Sequence, residues 1–478
     1  MRPAYQATKS PDYGVNSCES CFQKQLKIDR LTQENESLRG ELVRLKRKSI
    51  EGFFSSSTPS SKIPVKGNSP PEKTKNQGGA KLGHPGHGRR SHSPEAAEEV
   101  RAIGVQETNC PTCDAPLWHK GRVRRSVLDL DVMRVKQLLY ELERKYCPGC
   151  QVYLQAKVSS LLPKMLLSNE LLAEVVESHY VHGMPLGRIT ERLQVNYSTV
   201  IESLHRLARL FQPMIATLIE EYRQAGVRHA DETSWRVDGA TGYCWLFLSD
   251  KVSLHLYRHT RSATVVKEVF GTQELAGHVV VDRYNGYHRV PCKIQYCFAH
   301  LSRDLKDEAA RFEGNEEVAE FVTGMKQLLS EAMTLRGKKM TDAEYGEEGA
   351  RIKREILSLC LPDAQPTRTQ PTHPVVKRWS DFFVDRADKL YHWVEDRNVP
   401  CENNRAEREL RPTVIARKVS FGSQAEEGAK TREVLMSVMQ TLKKRAVNAR
   451  QKFKEMLDRV SDDPHLNVTG LLSEAGSP

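Results

Sequence analysis

The chain has 478 residues with a formal charge of +11 and a pI near 9.0. That length is too great for one core, so two to four domains are expected. No run approaches ~18 uninterrupted apolar residues, which argues against a membrane span, and the basic excess favours an anionic partner, nucleic acid first.

The first stretch, "MRPAYQATKSPDYGVNSC", has no apolar signal-peptide core. A cytoplasmic, nucleoid-associated protein is therefore expected, and its 11 cysteines read as metal ligands or buried thiols rather than disulfides. Over residues 18–50 a heptad places Ile28, Asn35 and Leu42 on one seam position and Leu31, Leu38 and Leu45 on the other. A polar Asn at an a position favours a defined two-stranded register, so a parallel coiled coil and a homodimer or higher oligomer are expected. Residues 51–100 are rich in Ser, Pro, Gly and Lys and read as a disordered basic linker. From Lys62 to Arg90 there are seven Lys or Arg and one acid, Glu72, making Lys81, Arg89 and Arg90 candidates for DNA phosphates.

Residues 101–160 carry Cys110-Pro-Thr-Cys113 and Cys147-Pro-Gly-Cys150. Four thiolates from two such turns satisfy a closed tetrahedral site, so a zinc-ribbon-like module with structural Zn²⁺ is expected. Residues 161–222 read as successive short helices, with Gly183 and Pro185 at the first break and Ser198 as N-cap of the last. This spacing resembles a helix-turn-helix for DNA.

From residue 223 the period changes. "GVRHAD" is a short strand ending on Asp231; "GYCWLFLS" and "SLHLYRH" are two more; "SATVVKEVFG" is a helix; "HVVVD" is a strand ending on Asp282; "KIQYCFAH" is a strand leading to a helix near Leu301. Three antiparallel strands followed by a crossover into parallel strands is the order of a ribonuclease-H-like core, in which the first and fourth strands are neighbours. Asp231 and Asp282 would then lie close together and repel unless a cation sits between them. Mg²⁺ or Mn²⁺ suits such oxygen ligands, and a two-metal arrangement suits phosphodiester chemistry. Taken singly, each aspartate could equally cap a turn.

The core is expected over 223–312 and 401–425, split by a helical insertion at 313–400. In "CENNRAERELRP", Asn403, Glu407 and Leu410 share one helical face, and Pro412 is expected to end or kink the helix. Spacing alone leaves Glu402 and Glu409 as competitors to Glu407 for the third acid. His229, Trp235, Tyr287 and His300 are candidates to line the site. Arg408, Arg411, Arg417 and Lys418 are candidates for DNA phosphates, as are Lys443, Lys444 and Arg445 in the C-terminal basic helix and tail, 426–478. That helix shows an apolar stripe at Val434, Val438 and Leu442.

Taken together, "GGAKLGHPGHGRR", the paired CxxC units, "RHADETSWRV", "VVVDRYNGYH", "CFAHLSRDLKD" and "ENNRAERELRPTVIARKVSFGS" resemble transposases of the IS66 family, TnpC-type, from about residue 25 to 455. The resemblance implies a DDE transposase whose catalytic and metal-binding acids are Asp231, Asp282 and Glu407, and it thereby prefers Glu407 over its competitors. It also implies two small companion proteins. Two departures stand out: Phe298 where the family commonly has Trp, and "DRYNGY" where it has a "DGYAGY"-like run. Neither removes a carboxylate. The expected architecture is multidomain α+β, and the expected activity is cleavage of element ends and strand transfer into target DNA. The competing expectations are a non-enzymatic zinc and helix-turn-helix DNA-binding regulator, and a nuclease that cuts without joining.

Overall fold

The computed structural model describes residues 27, 30, 31, 34, 38, 109, 114–116, 135–147, 152–155, 158, 160–361 and 373–475. Most of the heptad, the basic linker with Lys81, Arg89 and Arg90, and the cysteines Cys110, Cys113 and Cys150 lie outside them. The described heptad positions are helical, with Leu31 and Leu38 47% and 57% exposed. Contacts divide the chain into residues 69–138 and the remainder. In the smaller unit, Asn109 bridges Pro116 in antiparallel fashion and its Nδ2 donates to Asp114 Oδ1 at 3.2 Å. In the larger unit, β1 (Arg144–Cys147) pairs antiparallel with β2 (Val152–Gln155).

The helices expected between 161 and 222 are present: α1 (Asn169–Tyr180), α2 (Leu186–Leu193), α3 (Tyr197–Phe211) and α4 (Met214–Gln224). Ser168 caps α1 by accepting from Leu171 N. Between α2 and α3 the chain turns through Gln194, which is left-handed at φ 54°. Asn196, not Ser198, caps α3: its extended backbone lets the side chain accept from Thr199 N at 3.1 Å, so the cap lies two residues earlier than expected.

The central sheet has the order β5-β4-β3-β6-β7, with β8 also pairing β3. Its strands are β3 (Val227–Val237), β4 (Ala240–Leu248), β5 (Ser253–Arg258), β6 (His278–Val281), β7 (Lys293–Tyr296) and β8 (Gly422–Ser423). β3, β4 and β5 are antiparallel, whereas β6 and β7 run parallel to β3. A helix, α5 (Ala263–Phe270), capped by Ser262, crosses between the two sets. The first and fourth strands of the core are therefore neighbours, as the element order predicts.

One boundary differs. β3 does not stop at Asp231 but continues to Val237, because Glu232–Val237 still pair with Ala240–Trp245 of the next strand. The partner on its other side, β6, stops at His229, and β8 resumes pairing only at Arg236. Asp231 thus sits mid-strand, at a gap in the pairing along one edge of β3.

Strand alternation sends His229, Asp231, Thr233, Trp235 and Val237 to one face and Arg228, Ala230 and Glu232 to the other. The first face is covered by α11 (Asn404–Ser420). There Trp235, Val237, Cys244, Leu246, Leu248 and Tyr257 meet Ala406, Leu410, Ala416 and Ala429 in one buried cluster. Full burial of each large side chain there contributes roughly 1.5–3 kcal/mol. That packing carries α11 through Pro412 to Ser420, although a Pro inside a helix removes one backbone bond. Of the end or kink expected at Pro412, the end is overridden because buried residues on both sides of it dock on the sheet.

After β7, α6 (Phe298–Arg311) is followed by α7 (Glu316–Leu335), α8 (Asp342–Cys360), α9 (Pro374–Asp385) and the short α10 (His392–Glu395). The insertion returns to the sheet where Gln295 Nε2 donates to Leu390 O, Gln295 Oε1 accepts from His392 N, and Phe298 N donates to Cys401 O.

The last long helices are α12 (Glu426–Arg445) and α13 (Ala449–Asp462). α12 is more than a surface helix with one apolar stripe, since every residue from Thr431 to Leu442 is buried. It lies between edge strand β5 and the helices α1 and α3. Its buried polar side chains satisfy the outward backbone of that edge strand. Ser253 N donates to Thr441 Oγ1 at 3.1 Å, His255 N to Ser437 Oγ at 2.9 Å and Tyr257 N to Glu433 Oε2 at 2.9 Å. Helical positions four apart thereby match alternate strand residues, and an open sheet edge is closed. Opposite, Asn169 on α1 donates through Nδ2 to Asp458 Oδ1 and Ser461 Oγ on α13, both at 2.9 Å.

Candidate active site

The site is built where β3, the end of β6 and the first turn of α11 meet. The parallel register pairs Val280 with His229; carried two residues further, it sets Asp282 beside Asp231. Asn403, at the N-terminus of α11, is fully buried and locks that helix to β3. Its Nδ2 donates to Ala230 O at 2.9 Å, and its Oδ1 accepts from His229 Nδ1 at 2.8 Å. Glu407 lies one turn further along the same face, so this lock aims it at the strand bearing Asp231.

Asp231 is buried. Its Oδ1 accepts from Glu232 N at 2.9 Å, but its Oδ2 is buried without any hydrogen-bond partner. Burial, reinforced by the charges of Glu232, Asp282 and Glu407, holds its carboxyl well above the ordinary aspartate range. Asp282 is also pushed upward, by burial and then by Glu232, with His300, the Tyr284 backbone and Arg261 opposing. Its Oδ1 accepts from Tyr284 N at 2.9 Å, so it also caps the turn that follows β6. Glu407 pairs with Arg303 of α6 at 2.9 Å.

The competing glutamates point elsewhere. Glu409 accepts from Ser253 Oγ at 2.9 Å and pairs with Lys444 at 3.6 Å, while Glu402 accepts from Asn404 N at 2.8 Å. Of the three, Glu407 is the glutamate on α11 whose charge reaches Asp231. Among the described residues, no group of three or more His, Cys, Asp and Glu stands ready to hold a metal ion as arranged. Glu402, Glu407 and Glu409 rest on the partners just named, whereas Asp231 Oδ2 has none.

The structure separates the four residues expected to line the site. His229 is buried against Asn403, and burial lowers its pKa to about 4, so the ring is neutral near pH 7. Trp235 is a core residue whose Nε1 donates to Ser423 Oγ at 3.1 Å. His300 stands within the field of Asp282 and Glu407 with a buried, unpartnered Nδ1; burial and Arg303 lower its pKa. Tyr287 donates its hydroxyl to Glu232 Oε2 at 2.6 Å.

Glu232, which the sequence reading passed over, is a fourth acid. It is fully buried on the opposite face of β3 and is gripped by Arg261, with Nε at 2.8 Å and Nη2 at 2.5 Å from Oε1. Arg261 also lies over the Tyr284 ring, 4.2 Å from its centroid, and the Tyr284 hydroxyl donates to Arg261 O. This cluster ties the loop after Asp282 to β3. A second carboxylate within "HADET" was its only sequence signal.

Several expected phosphate contacts are drawn inward. Arg417 donates through Nη1 to Thr233 Oγ1 at 2.9 Å and Ser234 O at 2.7 Å; Lys444 pairs with Glu409; Arg445 pairs with Glu221 and donates to Lys251 O at 2.9 Å. They are consumed within the chain because they stand on the sides of α11 and α12 that face the core. Arg408, Arg411, Lys418 and Lys443 are exposed. No helix among the described residues is long and apolar enough to cross a membrane.

The family described as "Transposase IS66 family" matches residues 164–431, more than half of the chain. The chain belongs to the IS66 transposase family. The matched span holds β3, β6 and α11 and so the whole acidic cluster; the heptad and paired-cysteine segments of this family member precede it. The chain is also similar to two proteins of Sinorhizobium fredii (strain NBRC 101917 / NGR234), each named only as uncharacterized. It is 22% identical over 337 residues to y4qI, covering 63% of this chain and 61% of that protein, and 20% identical over 401 residues to y4jD, covering 75% and 76%.

Proposed function

We propose that the chain is a DDE transposase whose ribonuclease-H-like core cuts and joins DNA at a site formed by Asp231, Asp282 and Glu407. The observation that carries this reading is Asp231 Oδ2, a buried carboxylate oxygen without a partner, in the combined field of three other carboxylates. Such an arrangement is costly without a counter-charge. These oxygens fit Mg²⁺ or Mn²⁺, hard cations that favour carboxylate ligands. When bound, such ions would activate water or a 3′-hydroxyl and neutralise charge developing on phosphate oxygens.

The chain's own residues would do the rest. Asn403 and the His229 ring hold the first turn of α11 on β3, which keeps Glu407 opposite Asp231. The Glu232, Arg261 and Tyr284 cluster holds the turn after β6, which keeps Asp282 in register. Arg303 neutralises Glu407 at rest and must release it for all three acids to act together. Both cutting and joining are in-line displacements at phosphorus, so positioning and charge neutralisation carry most of the catalysis. DNA at element ends and targets is the proposed substrate. A structural Zn²⁺ at Cys110, Cys113, Cys147 and Cys150, dimerisation through the heptad, and two small companion proteins complete the proposal.

Cleavage and strand-transfer assays with Mg²⁺ or Mn²⁺ on the element's own end sequence test it. Asp282→Asn is expected to keep DNA binding and lose cleavage. Cutting by that variant at the wild-type rate would remove Asp282 from the chemistry. Wild-type binding without cleavage would indicate a regulator, and nicks without joined products a nuclease.

A further inference from the structure

Large apolar side chains on the outer face of α11 and at its C-terminal cap have no place in the acid chemistry. Ile415 is 55% exposed, Val419 49% and Phe421 76%, whereas the opposite face of the same helix is buried through Ala406, Leu410 and Ala416. The helical period sets Arg408 and Arg411 on the exposed side with Ile415 and Val419. The acids of α11 turn away from that side, Glu407 toward Arg303 and Glu409 toward Ser253 and Lys444. The result is a basic face studded with apolar groups, beginning at the acidic cluster.

Phe421 is unusual in its backbone as well as its exposure. It closes α11 with φ 60°, a left-handed conformation that Gly or Asn usually supplies at this position. The position is held firmly. Phe421 N donates to Arg417 O at 2.8 Å, Arg417 grips Thr233 and Ser234, and β8 pairs with β3 immediately after the phenylalanine. The ring is therefore presented to solvent from a rigid support tied to the strand that carries Asp231.

We infer that this face of α11 seats an unpaired DNA strand leading away from the acidic cluster, with Phe421 stacking against a base. The inference rests on the proposed reading of that cluster as the site of phosphodiester chemistry. Single-stranded nucleic acid combines regular negative charge with flat apolar faces, the complement of Arg408 and Arg411 interleaved with Ile415, Val419 and Phe421. Base-paired DNA hides those faces in its stack. Fourteen residues of helix at ~1.5 Å each put Phe421 about 21 Å from Glu407, the length of about six stacked nucleotides at ~3.4 Å each. Phe421 would thus grip the strand at a fixed distance from the reacting phosphate.

The test uses the full chain in EDTA, where the acids are catalytically silent, and a fluorescein-labelled 20-nucleotide single strand read by anisotropy. Phe421→Ala is expected to weaken binding about 5- to 100-fold with an unchanged salt slope, and Phe421→Trp to restore it. Arg411→Ala should lower the slope by about 0.7. Phe421→Asn suits the left-handed backbone and should lose the same affinity without a lower melting temperature, separating ring loss from unfolding. Strands carrying 5-iodouracil should crosslink to the peptide containing Phe421. Wild-type affinity in Phe421→Ala, or crosslinks that avoid this peptide, would overturn the inference. So would a smaller assembly on sedimentation with DNA affinity intact, which would give the face to a second copy of the chain. None of these readings depends on cleavage, so the catalytic assignment can fail separately.

Discussion

Replacing Asp231 with asparagine should make the metal-free protein more stable. The amide keeps an oxygen in place of Oδ1 to accept from Glu232 N, and it removes a charge that is buried, unpartnered at Oδ2 and repelled by Glu232, Asp282 and Glu407. A buried polar group left unsatisfied costs about 1–3 kcal/mol. The amide still buries a polar group, so a gain of about 1–2 kcal/mol is expected at neutral pH. With ~2–4 °C per kcal/mol for a domain of this size, the melting temperature should rise by about 2–8 °C.

The sign with pH follows from the raised carboxyl. Below the unfolded aspartate value of about 3.9, the group is protonated in both states and wild type and variant should converge. As pH climbs from there toward the higher folded value, the wild type alone loses stability, so the gap should open and then level off above that value. Scanning calorimetry of EDTA-treated proteins from pH 4 to 8 measures it. Added Mn²⁺ should raise the wild type more than the variant, by about 2.7 kcal/mol at one hundred times the dissociation constant. A variant less stable than wild type at pH 7.5, or a gap that does not vary with pH, would refute the reasoning.

Ser437→Ala removes the acceptor of the buried His255 N–H and should cost about 1–3 kcal/mol in urea unfolding; a change under about 0.5 kcal/mol would show that β5 does not need this closure. Cys147→Ser should abolish one tightly held zinc per chain, read by elemental analysis of chelator-washed protein. Equal zinc in both proteins would dismiss the paired-cysteine site. These stand beside the Asp282→Asn and Phe421 tests.

Much of the core was legible locally. Strand and helix periods placed β4, β5, α5, β6 and the insertion helices, because alternation and amphipathic spacing are properties of short windows. Asp231 and Asp282 were legible for the same reason, since a carboxylate in an apolar run breaks a local pattern. Three boundaries were misread where distant packing prevailed over local chemistry. β3 runs past Asp231 because β4 continues to pair with it, α11 runs through Pro412 because both halves dock on the sheet, and α3 is capped at Asn196 because that side chain reaches Thr199 N.

By itself the sequence determined the kinds of element, their order, and the presence of two acids in a strand context. Only the tertiary structure decided which glutamate faces β3, because Glu407 and Glu409 differ by rotation about one helix and Glu402 precedes it, and Asn403 sets that rotation by bonding to β3. It likewise decided that Glu433, Ser437 and Thr441 close a sheet edge, that Lys444 and Arg445 turn inward, and that Glu232 steadies the loop after Asp282. Each of these depends on a partner far away in the chain, and no local period encodes the register in which two such segments meet.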